Sequence, residues 1–261
     1  MKLAITITQC KRVVLPHFFC TYVLPQMRAR FSGPVAVFLV QHVGGLPEKR
    51  NFLRTSQLGQ QCLERVRGWT EEGKFPGAEI IRHEERFEAY PHLPSLIRAN
   101  EAALAWGADL HLWLEDDAIV ADDQCDAWPD LMKENDAGVY RERDIIHIAH
   151  FLSTRDFDER LRPRLLRPNW WDLQRVSIIA LRRAGVDLMK ADVPRIEVVL
   201  AQNCVRGRAR LPDRFAARTH RPGPGSNEPS YADNLAGVMT ILRGLDAAAA
   251  ERLQPLLLEE T

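Results

Sequence analysis

The sequence predicts an α/β domain with a mostly parallel central sheet flanked by helices. Three observations carry this. Short apolar runs that read as strands alternate along the chain with segments at helical spacing. Several of these runs are apolar on both sides, as strands covered on two faces must be. The 261 residues, 46% hydrophobic and 27% charged, suffice to bury a full core without disulfide or metal staples. A single domain over residues 1–261 is expected, its halves meeting near residue 120, with C-terminal helices at its end.

Each element has its own signal. Leu3–Thr8 alternates and is β-branched, which predicts a first strand. Pro34–Val40 (PVAVFLV) is a continuous apolar run and predicts a strand buried on both faces. Asn51–Trp69 places Phe52, Leu53, Leu58, Cys62, Leu63 and Val66 close to helical spacing. A short strand follows at Glu79–Arg82. Ser95, next to Pro94, can cap a helix over Leu96–Trp106 that Gly107 stops. Leu110–Leu114, Ile145–Ala149 and Val176–Leu181 predict further strands, the last leading into a helix over Arg182–Lys190. Pro194–Gln202 fits either kind of element, and Tyr231–Leu245 and Ala247–Leu258 read as amphipathic helices. The Pro- and Arg-rich stretch Arg160–Trp171 predicts a loop and a candidate domain break, and Arg221–Ser230 (RPGPGSNEPS) predicts a second loop.

Composition excludes several classes. Lys+Arg and Asp+Glu are 35 each, so no global charge draws the chain to nucleic acid or an anionic membrane. The charge is nevertheless segregated. Residues 79–139 carry 4 basic and 15 acidic side chains, whereas residues 140–221 carry 18 and 10. An acidic segment beside a basic one can hold a cation and a polyanion together, although such runs also arise as plain solvated faces. The five cysteines form no CxxC pair, which argues against a disulfide framework or thiolate zinc site and suits a reducing, cytoplasmic location. The apolar run LAITIT is too short for a signal-peptide core. The longest uncharged run, Phe31–Pro47, contains Gly, Pro, Gln and His, so no transmembrane segment is expected.

The strongest chemical signal is Leu112–Val120, LWLEDDAIV, where an apolar strand runs directly into Glu115, Asp116 and Asp117. Ligands of open α/β sheets bind beyond the carboxyl ends of strands, where these acids would sit. Like charges about 4 Å apart repel by roughly 4 kcal/mol at an effective dielectric of 20. A divalent cation converts that repulsion into binding, and all-oxygen ligation favours Mg²⁺ or Mn²⁺ over zinc. The competing reading is a solvated acidic turn, which fits Asp122, Asp123 and Asp126 better. His111 and Trp113, on the strand before the acids, read as core residues.

The segment Ser95–Val120, SLIRANEAALAWGADLHLWLEDDAIV, resembles the core of GT-A (Rossmann-like) glycosyltransferases, in which a helix leads into a strand ending in a DxD-type motif. Glu115-Asp116-Asp117 is similar to the EDD version of that motif. The resemblance implies Mn²⁺ or Mg²⁺ as cofactor and a nucleotide-sugar donor, a UDP-sugar first. It gives Asp117 direct metal contact, and Glu115 and Asp116 the donor ribose, the sugar or the metal. It places Arg98 and Asn100 where donor groups are held, and Thr8, Gln9 and Arg12 beside the nucleotide base. It makes residues 1–120 the donor half and 121–261 the acceptor half. It offers His220, in THRPGPGSN, as a late metal ligand, with Arg218 and Arg221 on the leaving diphosphate. A surface histidine in a solvated basic stretch is the alternative. Glu197, then Asp192, is implied as the base that deprotonates the acceptor if the reaction inverts. Either acid can equally be a helix-surface carboxylate.

Trp170 and Trp171, with Arg167, lie in the Arg-rich stretch and are candidates to stack on an acceptor. That acceptor is a glycan or, by analogy with phage base-modifying glucosyltransferases, a hydroxylated base in DNA. Two other classes remain open at this point: a metal-dependent nucleotidyltransferase or phosphoesterase, and a nucleotide-sugar-binding module without turnover. The chain has no GxGxxG and no P-loop.

Overall fold

The computed structural model describes residues 1–9, 12–42, 61, 64–68, 70–71, 79–85, 92–116, 118–119, 125–133, 137–139, 150–165, 208–210, 217–218, 236, 239–240, 243–244 and 246–260. Its centre is a sheet of β1 (Leu3–Gln9), β2 (Val35–His42), β3 (Glu79–Glu85), β4 (Leu110–Glu115), β6 (Ala137–Val139), β7 (His150–Thr154) and β8 (Arg208–Arg210). The spatial order is β3-β2-β1-β4-β7-β6-β8. β1 is parallel to β2 and β4, β2 to β3, and β6 to β8, while β7 runs antiparallel to both its neighbours. The expected α/β class with a mostly parallel sheet and flanking helices is therefore present. A separate two-stranded pair joins β5 (Ala118–Ile119) to β9 (Ala217–Arg218).

The strand sequences explain the layers. Val35–Val40 is buried throughout, as its unbroken apolar run requires. On one face, Leu3, Ile5, Ile7, Val37, Leu39, Leu112 and Leu114 pack against α1 (Val14–Phe18), α2 (Leu24–Arg30) and Trp128 of α4 (Trp128–Leu131). A π-helical turn at Phe19–Val23 joins α1 to α2. Pro25 follows it, with no N–H for the carbonyl four residues back and a ring that crowds it, and the wider turn relieves both. On the opposite face α3 (His92–Trp106) lays Ala102 and Ala103 on Ala4 and Ala36, and these small side chains let helix and sheet approach closely. α5 (Arg155–Leu165) packs beside α3, and α6 (Ala247–Glu260) touches α1.

Several boundaries differ from expectation. β1, β2, β3 and β4 all extend past their predicted ends into polar residues. α3 begins at His92, so Ser95 is not its cap but a buried residue inside the first turns. Pro94 is tolerated there because first-turn N–H groups have no helical acceptor. The stop at Gly107 is as expected. Its φ is 77°, and Gly107 N–H to Leu104 O (3.0 Å) with Ala108 N–H to Ala103 O (3.1 Å) forms a Schellman closure.

The loop expected over Arg160–Trp171 is corrected at its start. Residues 160–165 continue α5, with Pro163 inside the helix. Buried Phe157 and Leu161 hold it to the core, and the pairs Arg155–Glu159 and Arg160–Asp156 lace its outer side. Residues 64–68 are helical within the predicted Asn51–Trp69 segment. The predicted elements at Ile145–Ala149, Val176–Leu181, Arg182–Lys190 and Pro194–Gln202 lie outside the described residues, as does the loop Arg221–Ser230.

Candidate functional site

Four parallel strands lie side by side, and each exchanges apolar for polar residues at its carboxyl end. β3 reaches Glu84, in register with Gln41 of β2, which is in register with Gln9 of β1. Thr8 is in register with Glu115 of β4. Two neighbouring registers therefore carry polar side chains at the edge where open α/β sheets bind ligands, Glu84, Gln41 and Gln9 in one and Thr8 and Glu115 in the one before it.

Three residues tie β1 to the acids. The Asp116 N–H donates to Thr8 O at 3.0 Å, extending the β1–β4 ladder by one bond. The Asp116 carboxylate accepts the Arg12 N–H at 3.2 Å on Oδ2 and the Arg12 guanidinium at 3.4 Å on Oδ1. Gln9 Nε2 donates to Arg12 O at 3.3 Å. Asp116 is buried, and Glu115 is half-buried. Thr8, Gln9, Arg12, Glu115 and Asp116 are thus brought together.

Gln41 joins them, although sequence reasoning missed it. The side-chain oxygens of Gln9 and Gln41 are both buried without a hydrogen bond among the described residues. Buried acceptors rarely stay unpaired, so two on neighbouring strands at a ligand edge ask for a donor. The available signal was the one that identified the acids: Gln41 ends an unbroken apolar run.

A late segment arrives at the same place. β9 pairs antiparallel with β5, and Arg218 lies opposite Ala118, one residue beyond Asp117. The backbone at Arg218 therefore runs beside the acidic turn. The side chain of Arg218 lies outside the described residues, as do Asp117, His220, Arg221, Glu197, Asp192, Arg167, Trp170 and Trp171. Among the described residues no group of three metal-type side chains gathers. The acids that are described, Glu115 and Asp116, offer only oxygen, which suits a hard cation such as Mg²⁺ or Mn²⁺.

Two expected donor residues sit elsewhere. Asn100 is fully buried under α5, where its Nδ2 donates to the backbone oxygen of Asp158 at 3.3 Å. It belongs to the core. Arg98 pairs with Glu101 at 3.7 Å on the half-exposed side of α3, and Glu101 also meets Arg162 of α5 at 3.7 Å.

Beneath the edge lies a polar network, every member of it buried. His111 Nε2 is 2.8 Å from Thr6 Oγ1, and His111 Nδ1 is 2.6 Å from Asp158 Oδ2. Ser153 donates to Asp158 Oδ1 at 2.7 Å and accepts from Trp113 Nε1 at 2.9 Å. The His111 and Trp113 rings stack 4.1 Å apart. His111 and Trp113 are core residues, as the sequence predicts. The network locks β4 to β1, β7 and α5 just upstream of Glu115. At the sheet's outer edge, a hydrogen bond from Arg67 holds the Glu84 carboxyl below the usual carboxylate range. Burial pushes the Cys20 thiol up, out of reach of a thiolate nucleophile at neutral pH.

No helix among the described residues is long and apolar enough to cross a membrane. No protein-family model and no curated protein matches the chain. Among solved structures it is similar to a protein described as a nucleotide-diphospho-sugar transferase from Desulfovibrio desulfuricans G20. The two share 13% identity and a TM-score of 0.41 over 99% of this chain and 97% of that one. It is also similar to the glycosyltransferase GlyE of Streptococcus pneumoniae TIGR4, at 13% identity and a TM-score of 0.39. That match covers 80% of this chain and spans 44% of GlyE.

Proposed function

We propose that the chain is a metal-dependent glycosyltransferase that moves a sugar from a nucleotide-sugar donor, a UDP-sugar first, to an acceptor hydroxyl. The observation that carries this is the set of polar residues at the carboxyl ends of four parallel strands, with Glu115 and Asp116 at the end of β4. The antiparallel pairing of Ala118 with Arg218 supports it, because it runs a basic late segment past the acids.

Each residue then has a task. Glu115 and Asp117 hold Mn²⁺ or Mg²⁺, with His220 as a third ligand. When bound, the cation supplies charge stabilisation for the leaving diphosphate. Arg218 and Arg221 pair with the same diphosphate. Gln9 and Gln41 border the base, with the Gln41 side-chain oxygen accepting its imide N–H. In the transfer, the bond from the sugar's anomeric carbon to the diphosphate oxygen breaks and a bond to the acceptor oxygen forms. The acceptor proton passes to Glu197, or to Asp192 in its place. Trp170 and Trp171, with Arg167, face the acceptor.

The test is release of the nucleoside diphosphate from a panel of nucleotide sugars, with and without Mn²⁺. The expected result is Mn²⁺-dependent turnover with one donor. Glu115→Gln should lower it by about a hundredfold or more, the order seen when a transition-state charge contact is lost. Gln41→Leu should raise KM about tenfold with little change in kcat, as loss of one ground-state hydrogen bond does. Release of phosphate instead of a nucleoside diphosphate would assign the site to a phosphoesterase. Binding without turnover would assign it to a non-catalytic module.

A further inference from the structure

We infer that Asp116 is a positioning residue rather than a ligand. Its carboxylate clasps Arg12 and fixes the turn from β1 into α1, leaving the cation to its two acidic neighbours. The clasp stands on geometry alone, whereas the division of labour among the acids rests on the function proposed above.

Residue 12 is held at three points. Its N–H goes to Asp116 Oδ2 at 3.2 Å, its guanidinium to Asp116 Oδ1 at 3.4 Å, and its carbonyl to Gln9 Nε2 at 3.3 Å. Residue 116 is anchored in turn by its own N–H on Thr8 O at 3.0 Å. Val13, the next residue, is the N-cap of α1 and makes no side-chain cap bond, so the start of that helix depends on how residue 12 is held. The Arg12 and Asp116 side chains are only 24% and 10% exposed, so solvent screens the pair weakly.

An Asp116 that swung onto a cation would surrender both bonds to Arg12 and leave a guanidinium facing the metal. Charge points the same way. Glu115, Asp116 and Asp117 carry three negative charges and Arg12 one positive, a net of −2 that a divalent ion neutralises. Glu115→Gln and Asp117→Asn are therefore expected to act on the cation, and Asp116→Asn on the shape of the edge.

The experiment compares full-length wild type, Asp116→Asn, Asp117→Asn, Arg12→Met and the Asp116→Asn/Arg12→Met double variant. It has two readouts: Mn²⁺ affinity with UDP present, from the electron paramagnetic resonance signal of free Mn²⁺, and amide hydrogen exchange in the peptide from Thr8 to Phe18. The Asp116→Asn/Arg12→Met variant removes one negative and one positive charge and keeps the net of −2, so it should hold Mn²⁺ affinity within about threefold of wild type. Asp117→Asn should weaken it by more than about tenfold, the loss expected for a charged ligand. Asp116→Asn and Arg12→Met should each speed exchange about tenfold, and the double variant no further, because both remove the same contact. A loss of Mn²⁺ affinity in the double variant equal to that of Asp117→Asn would overturn the inference, and so would an unchanged exchange rate. Absence of Mn²⁺ binding in wild type would sink the cation reading separately, and the exchange rates would still decide the clasp.

Discussion

Asp158 shows how much one buried side chain can hold. Its two oxygens take bonds from His111 and Ser153, and its backbone oxygen takes one from Asn100. Removing the Asp158 carboxylate leaves the buried partners His111 and Ser153 unsatisfied, a cost of about 2–6 kcal/mol for the two. Asp158→Ala should therefore lower stability by that amount in urea unfolding, with the slope unchanged. A loss under about 1 kcal/mol would mean that the network contributes little beyond ordinary hydrogen bonds. His111 and Trp113 were legible as core residues because they alternate within an apolar strand. Asp158 was not, because it sits among Arg, Asp and Glu in a segment that reads as solvated, and its partner is 47 positions away. The acids after β4 were legible because polarity breaks abruptly there. Gln41 gives the same break, but a carboxamide advertises its chemistry less than three carboxylates do. The Arg12–Asp116 contact spans 104 positions and no local pattern reports it.

Strands were read more securely than helix ends. β1, β2 and β4 are short apolar runs, so their existence follows from composition. α3 starts three residues before its predicted cap because Pro94 is admissible in a first turn, not only before one. Its far end was legible because a left-handed residue is needed there and glycine supplies it. Gly107→Ala should cost about 1–2 kcal/mol from backbone strain alone, since the nearest atom to an added Cβ is Lys2 Nζ at 3.9 Å. A lower denaturation midpoint with the same slope is expected, and an unchanged midpoint would contradict the closure. α5 was partly misread as a loop because Pro and Arg count as breakers in composition, whereas apolar Phe157 and Leu161 fix it to the core. At the outer strand β3, the Arg67 bond depresses the pKa of Glu84. The stability it contributes is present above the ordinary carboxylate pKa and lost as pH falls through the lowered value. Glu84→Gln should therefore be the less stable protein at pH 7, and the gap should narrow at a pH well below the ordinary carboxylate range. An equal gap at both pH values would contradict that linkage.

Seen whole, the described residues gather the polar side chains of the candidate site at one edge of one sheet. Apolar layers on both faces fix β1, β2 and β4, a buried polar network indexes β4, and a salt-bridged turn binds the acids to β1. The α/β class and the location of the edge were legible from the alternation of elements and the LWLEDD transition. The antiparallel placement of β7 and the return of β9 to Ala118 were not, because β7 is too short for its pattern to report a direction and long-range pairing leaves no mark on composition. The central claim is that this edge binds a nucleotide sugar through a divalent cation. The most direct test is thermal stability against UDP-, GDP- and CDP-sugars, each with and without Mn²⁺, for wild type and Asp117→Ala. A ligand at a hundredfold excess over its dissociation constant stabilises the native state by about 2.7 kcal/mol. The account predicts a Mn²⁺-dependent rise in Tm with one donor, lost in Asp117→Ala. No rise with any donor, or a rise that survives Asp117→Ala, would contradict it.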